Sequence, residues 1–499
     1  MPQLTLDTET ATDKRTKSDT VITTSSFTSS EPALYMGEHT SLPKWLKRKI
    51  DWRILPFFML GYLFQFLDKT LLNYAAVMGL TEHLHGNQYA NLSTIFYCGF
   101  LVMEPIAGYL IQKLPIAKFL GVMIVLWGAV VTLHAATKTY AGLMIVRTFL
   151  GIFESSTAAC FIPIMGMWYT KAEQSRRTAY WYMQTGVAGI IGSLLSFGFQ
   201  HVHSTSIENW QILFIFMGLL TCILGVATFL YLPDNPMTCK AFTDDEKLLI
   251  MNHIRENQTG VQNRHFKWYQ VKEILFYDWQ TWLLFVITFL FSILGSAFTT
   301  FSSLIIKSFG FTDLQATFMQ FPIGFVSILA TLICCFLPCY YGERCLTMFT
   351  FNVIAIVGLV LQISLDKKYK AGKLIGVYMM KANSATLSLV YNWCAINTSG
   401  HTKRLARNTL ILIAFCLGSL VAPQHFRDSD APMYVRAKTA LIIEMSICAF
   451  LCLVLRFVII HLNKKKDEKS VELTDNELHR DALFLDITDI ENRNFRYEY

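Results

Sequence analysis

Charged residues are scarce in this chain: they make up 16% of its 499 residues, whereas hydrophobic residues make up 53%. In soluble globular domains about a quarter of all residues are charged, so the composition points to a lipid bilayer as the solvent. The chain also lacks the Gly-x-x-x-x-Gly-Lys-Ser/Thr run that cradles nucleotide phosphates, which argues against a primary pump. The net charge of +7 comes from clusters between apolar runs rather than from a continuous soluble face, so no nucleic-acid partner is predicted.

Paired cysteine motifs are missing as well, although the chain has 12 cysteines. Most of these lie inside apolar segments, where packing is their expected use. Cys334, Cys335, Cys339 and Cys345 lack the CxxC or histidine pattern of a zinc site, so neither a metal nor a cofactor is predicted. Residues 1–40 contain no apolar h-region. We therefore expect no cleavable secretory signal, and the first membrane helix should act as the insertion signal.

What the chain has in abundance is apolar runs of about 20 residues, the length that crosses a bilayer. They predict an all-α membrane protein with twelve transmembrane helices in two six-helix bundles. The first bundle has the predicted spans 53–76, 90–112, 118–136, 141–168, 178–201 and 210–232. The second bundle has the predicted spans 282–303, 314–338, 345–365, 373–396, 405–424 and 438–461.

The predicted organisation has five parts. They are an N-terminal tail (1–48), the first bundle (49–232), a connector (233–280), the second bundle (281–461) and a C-terminal tail (462–499). Within the connector, Thr243-Asp244-Asp245-Glu246 matches a capping box at the start of a surface helix. Two six-helix halves joined by a polar connector are typical of secondary transporters that bind substrate between the halves.

The orientation of the chain is predicted from the basic residues of its short loops. Such clusters precede span 1 and follow spans 2, 4, 10 and 12, which places both termini in the cytosol. One loop departs from the rule, because Lys367, Lys368, Lys370 and Lys373 crowd the opposite side between spans 9 and 10.

Ionisable side chains inside hydrocarbon cost at least ~2.5–3.5 kcal/mol, so each is a functional hypothesis. Span 1 carries Asp68 and Lys69, and span 4 carries Arg147 and Glu154. The seven-residue spacing of the second pair returns to nearly the same helix face about 10 Å further on. We expect Arg147 or Lys69 to hold a substrate carboxylate and Asp68 or Glu154 to bind a proton. The alternative is a structural ion-pair cluster that braces the two helices.

Four further residues are weaker candidates. Glu104, beside Pro105, either belongs to the proton path or satisfies backbone groups freed by the proline. Lys381 and Asn383 in span 10 either give the second bundle a contact to an anion or reach water in a vestibule. Gln184 in span 5 either binds ligand or joins two helices by a hydrogen bond. The Ser and Thr residues of span 7 indicate close helix packing and are assigned no role.

Several motifs resemble the major facilitator superfamily and, within it, the fungal allantoate permease family of anion:cation symporters. The resemblance rests on five stretches of the chain. They are Lys49-Ile50-Asp51, residues 76–80 (AVMGL), residues 147–154, Ala422-Pro423-Gln424 and residues 430–434 (DAPMY). The end of the chain, residues 486–497, is similar to that family's Thr-Asp-x-Glu-Asn-x-x-Phe-Arg-Tyr ending. The loop between spans 2 and 3 departs from the superfamily pattern, because Gln112 stands where an acidic residue is usual.

The resemblance implies a proton-coupled uptake symporter for a small organic anion, of the allantoate, ureidosuccinate, small-peptide or carboxylate-vitamin class. It also implies coupling roles for Asp68, Lys69, Arg147 and Glu154. We expect a functional monomer in the plasma membrane, with protons as its other partner. A nutrient-sensing receptor on a transporter fold is the first alternative. A multi-pass membrane enzyme is the second, although no catalytic constellation of His, Cys or Asp stands out.

Overall fold

The structure is a computed structural model that describes residues 42–202, 207–237, 239–255, 267–366, 368–470, 488–492 and 495–499. Most of the predicted N-terminal tail and parts of the predicted connector and C-terminal tail lie outside the described residues. Within the described residues the chain forms 17 α-helices and no strand. The predicted all-α class is confirmed.

The helices fall into two sets separated by the connector helices. The first set consists of α1 Lys44–Val77, α2 Gln88–Lys113, α3 Ile116–Leu133, α4 Tyr140–Trp168, α5 Lys171–Tyr182, α6 Gln184–Phe199 and α7 Asn209–Tyr231. The connector contains α8 Asp244–Arg255 and α9 Trp268–Phe276. The second set consists of α10 Trp279–Ser308, α11 Asp313–Phe318, α12 Phe321–Tyr341, α13 Arg344–Ser364, α14 Lys370–Ala382, α15 Thr386–Ile396, α16 His401–Val421 and α17 Val435–Ser470.

Ten segments among the described residues are long and apolar enough to cross a membrane by themselves. The other two predicted spans, 5 and 10, are each broken into two helices. Span 5 divides at Met183 into α5 and α6, and span 10 divides around Asn383–Ala385 into α14 and α15. Each piece has at most 16 residues, too few to cross a bilayer alone. When each broken pair counts as one crossing, the described residues contain the twelve crossings that the sequence predicts.

Two helices extend further than their apolar residues indicate. Helix α1 begins at Lys44 rather than at residue 53, and α17 continues to Ser470 rather than ending at 461. Both extensions are rich in Lys, which is a good helix former but lowers the mean hydropathy. A hydropathy profile therefore locates the part of a helix inside the bilayer and misses its polar continuation in water.

Neighbouring helices approach closely at glycines. A Cβ atom on Gly151 of α4 would lie 2.0 Å from the carbonyl oxygen of Phe96 in α2. A Cβ atom on Gly128 of α3 would lie 2.6 Å from the backbone nitrogen of Cys222 in α7. Association in a bilayer depends on packing and interhelical hydrogen bonds, because lipid tails are as apolar as the helices themselves. Gly151 thus allows close contact between α2 and α4, which carry site residues.

The connector helix α8 is tied to the first set. The predicted capping box is confirmed: Thr243 N donates to Glu246 Oε2 at 2.9 Å, and Glu246 N donates to Thr243 Oγ1 at 3.4 Å. Glu246 also pairs with Lys49 at 2.7 Å. His253 contacts Glu173 at 3.1 Å. Partial burial alone would raise the pKa of Glu173, but hydrogen bonds from Lys47 and His253 outweigh it and lower the pKa to about 2.

The last described residues dock against the connector side of the second set. Asp489 is fully buried and pairs with the buried Lys403 at 2.8 Å, while Tyr497 donates its hydroxyl to Asp489 Oδ2 at 2.7 Å. Tyr497 and Asn463 of α17 exchange two hydrogen bonds, at 3.0 and 2.9 Å. Further along, Arg344 N donates to the carbonyl oxygen of Tyr499 at 2.6 Å. This docked segment, residues 488–492 and 495–499, thus ties together the ends of α13, α16 and α17.

The docked segment leads to a stability prediction. Replacing Asp489 with Asn removes a buried countercharge of Lys403 and should destabilise the protein. The loss should be limited to about 1–3 kcal/mol, because Lys403 keeps its contact to Glu273 at 2.7 Å. The matched control is Asp467→Asn, which breaks the exposed pair with Arg496 at 2.7 Å and should change stability little. The check is the melting temperature of each variant in detergent. Equal melting temperatures for the two variants would contradict a stabilising role for Asp489.

Candidate functional site

The predicted charges of α1 and α4 meet inside the first set. Lys69 Nζ lies 3.3 Å from Glu154 Oε1, and the Glu154 side chain has no exposed surface. This contact is an ion pair without hydrogen-bond geometry, since both Glu154 oxygens lack a hydrogen-bond partner among the described residues. The ammonium also lies over the rings of Phe66 and Phe100, at 5.4 and 5.5 Å. Such cation–π contacts help to stabilise a cation that has left water.

Asp68 and Arg147 are buried without full compensation. Asp68 is 1% exposed, and among the described residues neither of its carboxylate oxygens has a hydrogen-bond partner. Arg147 is 3% exposed, and its Nε and Nη2 atoms likewise lack partners. The guanidinium lies 6.0 Å from the ring of Phe214. Because an unpaired buried charge is costly, a carboxyl without partners is more stable there as a neutral acid, whereas arginine keeps its charge and requires an anion.

A small cavity lies beside these charges. Lys69 and Arg147 line it from the first set, and Thr299 and Thr300 of α10 line it from the second. Phe96 and Tyr97 of α2 form another part of its wall. The cavity therefore combines two cations, hydroxyl groups and aromatic surface at the boundary between the two helix sets. This is the composition expected of a site for a small organic molecule with an anionic group.

Lys381 lines a second small cavity, between α10 and α14. Its Nζ lies 5.2 Å from the ring centre of Phe298. Asn383 also lines this cavity, but its amide donates to Asn352 Oδ1 at 3.2 Å and accepts from Thr386 Oγ1 at 3.0 Å. Asn383 thus bonds within the second set, at the break between α14 and α15.

Glu104 and Gln184 lie apart from both cavities. Cys416 of α16 contacts Glu104 Oε2 at 3.8 Å, so this acid is at the boundary between the two sets. Gln184 is 7% exposed and donates to the carbonyl oxygen of Tyr180 at 3.4 Å, across the break between α5 and α6. The contact of Gln184 satisfies a backbone group freed by the broken helix.

Sequence reasoning assigned no role to the hydroxyl residues of α10, yet several bond to the first set. Asn73 Nδ2 donates to Ser302 Oγ at 3.0 Å, and Ser303 N donates to Asn73 Oδ1 at 2.9 Å. Tyr89 donates its hydroxyl to the carbonyl oxygen of Thr300 at 2.7 Å. These bonds join the sets at the ends opposite the connector, which we call the far side. The far side of the site is therefore closed by direct hydrogen bonds.

Two helix sets with buried charges and a polar cavity at their boundary define a class, the multi-pass membrane transporters. Comparison with known proteins identifies the family within this class. Residues 58–423 match the family described as Major Facilitator Superfamily. The chain belongs to this superfamily and is a multi-pass membrane transporter.

Two fungal relatives extend along nearly the whole chain. The thiamine pathway transporter THI73 of Saccharomyces cerevisiae is 44% identical over 469 residues, which are 94% of this chain and 89% of that protein. The allantoate permease of the same yeast is 31% identical over 466 residues, which are 91% of this chain and 86% of that protein. The predicted kinship with fungal allantoate permeases is confirmed. Since the family and the relatives are transporters, the prediction that the chain is not an enzyme is confirmed too.

Solved structures agree on the fold. A bacterial homologue of the human lysosomal transporter Spinster superimposes with a TM-score of 0.62 at 13% identity, covering 83% of this chain and 97% of that one. A D-xylose-proton symporter superimposes with a TM-score of 0.61 at 10% identity, covering 81% of this chain and 97% of that one. At such low identity the likeness concerns the fold alone, and the two-bundle architecture expected from the sequence is confirmed.

Proposed function

We propose that this transporter is a proton-coupled uptake symporter of a small organic anion, acting as a monomer in the plasma membrane with the connector in the cytosol. The observation that carries the proposal is the pairing of charges in the site. Glu154 has an ion-pair partner in Lys69 at 3.3 Å, whereas no ion pair to Arg147 or Asp68 occurs among the described residues, and both retain polar atoms without a hydrogen-bond partner. A bound anion would accept hydrogen bonds from Arg147 and balance its charge. A bound proton would neutralise the Asp68 carboxylate.

The two ligands are linked through electrostatics. A proton on Asp68 removes a negative charge from the neighbourhood of Arg147, which strengthens the attraction of Arg147 for an anion. A bound anion in turn favours the protonated form of nearby acids. By thermodynamic reciprocity each ligand raises the affinity for the other, as a symporter requires. Glu104, at the boundary between α2 and α16, is then a proton acceptor nearer the connector side.

The charge of the site also bears on substrate class. The S. cerevisiae relative that is 44% identical is named a thiamine pathway transporter, and the relative that is 31% identical is named an allantoate permease. Thiamine carries a positive charge and allantoate a negative one. Arg147 in the cavity wall disfavours a cation and favours a carboxylate, so we place organic carboxylates ahead of thiamine.

Proton coupling predicts how uptake responds to pH. Uptake of the preferred compound should rise as external pH falls, and accumulation should collapse when a protonophore is added. The measurement is uptake of labelled allantoate, ureidosuccinate, nicotinate, pantothenate and thiamine by cells that express the chain, with empty-vector cells as the control. Accumulation that is indifferent to both pH and protonophore would contradict symport, and preferential uptake of thiamine would contradict the anion assignment.

A further inference from the structure

Helix α10 carries the walls of two cavities on adjacent faces. Phe291, Gly295 and Phe298 recur at the spacing of one helix face and line the cavity of Lys381. Thr299 and Thr300 line the cavity of Arg147 and Lys69. The step from Gly295 to Thr299 is a little over one helical turn, or about 6 Å along the axis. The walls of the two cavities are therefore offset by about one helical turn along α10.

Glycine at position 295 leaves the wall of the Lys381 cavity open. No atom lies within 4 Å of the position that a Cβ on Gly295 would occupy. Many other glycines of the helix sets face a neighbour at under 3 Å, as Gly151 does, and serve helix packing. Gly295 instead faces empty space, so its lack of a side chain enlarges the cavity rather than admitting a neighbouring helix.

Lys381 is a cation without a countercharge. Its only described interaction is the one with the Phe298 ring, and no ion pair to it occurs among the described residues. An aromatic face stabilises an ammonium only in part. Lysines in membrane helices otherwise pair with acids or reach water, so a lysine aimed at a cavity beside an aromatic ring is placed to receive an anionic group.

The charges of both cavities can be summed for the protonated transporter. Lys69 and Glu154 cancel, and protonated Asp68 is neutral, which leaves Arg147 in the first set and Lys381 in the second. A monoanion neutralises one of these cations and leaves the other without a countercharge. A dianion neutralises both.

We propose that the transported substrate is a small organic dianion. One carboxylate binds Arg147 and Lys69, and the second anionic group binds Lys381 in the Phe298 cavity. This inference rests on the proposed symport function and narrows its substrate class. It also gives the dianion a contact to each helix set, so that the loaded transporter has both sets joined through the substrate.

The test compares matched ligands that differ by one charge. The probes are succinate, glutarate and adipate with their monoamides, and the readout is the rise in melting temperature of the purified full-length transporter at a pH just above the second carboxylate pKa of the acids. The wild-type protein should bind at least one dicarboxylate about tenfold more tightly than its monoamide. Lys381→Gln should abolish that difference by weakening the dicarboxylate, while Lys381→Arg, which keeps the charge, should retain it.

The matched control is Lys370→Gln, which removes the same charge at the start of α14, where Lys370 donates to the carbonyl oxygen of Gly310 at 2.6 Å. This variant should keep the wild-type preference. Equal binding of dicarboxylate and monoamide, absence of binding by every dicarboxylate, or an unchanged preference in Lys381→Gln would each overturn the dianion assignment. Proton-driven uptake of a monoanion by wild-type protein would overturn it while leaving the symport function intact, whereas uptake without proton dependence would remove the function itself.

Discussion

Transport is expected to disappear when Arg147 is replaced by alanine and to weaken when it is replaced by lysine. Arg147 is 3% exposed and has two nitrogen atoms without a hydrogen-bond partner among the described residues. Lysine keeps the charge but loses the planar fork that binds a carboxylate through two parallel hydrogen bonds. Loss of one charge-assisted bond costs about 1.5–3 kcal/mol, so the apparent substrate constant should rise about tenfold or more.

The measurement is the initial rate of uptake against substrate concentration in proteoliposomes, normalised to folded transporter. The matched control is Arg456→Lys, because Arg456 pairs with Glu343 at 2.7 Å in the second set and lines neither cavity. That variant should keep the wild-type substrate constant. If Arg147→Lys also keeps it and Arg147→Ala still accumulates substrate, Arg147 is structural and the anion contact passes to Lys69 or Lys381.

Replacing Asp68 with Asn should abolish uphill accumulation while leaving exchange of substrate across the membrane. Asparagine has the size of a protonated aspartic acid and cannot release a proton. The variant therefore imitates the proton-loaded transporter permanently, and it can still change conformation with substrate bound. The expected result is counterflow at a rate near that of the wild type, together with equal substrate concentrations on both sides when only a proton gradient is applied.

Glu154→Gln separates the two acids of the site. This substitution leaves Lys69 without its partner at 3.3 Å, so substrate affinity should change along with coupling. Glu444→Gln is the matched control. Glu444 of α17 contacts His425 at 2.9 Å, and it lines neither cavity. Normal accumulation by Asp68→Asn and loss of coupling by Glu154→Gln would transfer the proton site to Glu154. Normal accumulation by both variants would remove this cluster from the proton path.

The architecture was predictable because the bilayer constrains it so strongly. Apolar runs long enough to span hydrocarbon located the helices, and the capping box at Thr243 located α8. The breaks in spans 5 and 10 were not predictable from hydropathy. Polar residues lie at both breaks, Gln184 at the first and Asn383 and Ser384 at the second, but neither proline nor paired glycine marks them.

Part of the site was predictable for the same reason. A charge in hydrocarbon demands a partner, so Asp68, Lys69, Arg147 and Glu154 were visible as a group. What sequence could not give was the pairing: Glu154 contacts Lys69 rather than Arg147 of its own helix face. The contacts of Thr300 could not be predicted either. The sequence does not distinguish a hydroxyl residue that packs against another helix from one that lines a cavity.

The docked segment, residues 488–492 and 495–499, affects where a fusion partner can be attached. Tyr499 accepts a hydrogen bond from Arg344 N at 2.6 Å, and Glu498 pairs with the Arg344 side chain at 2.5 Å. A fluorescent protein or affinity tag joined directly after Tyr499 would disturb the contacts of a segment that is packed against three helix ends. Fusions are better placed before residue 42, or after Tyr499 with a long flexible Gly/Ser spacer, so that a reporter of expression does not itself lower the stability it is used to measure.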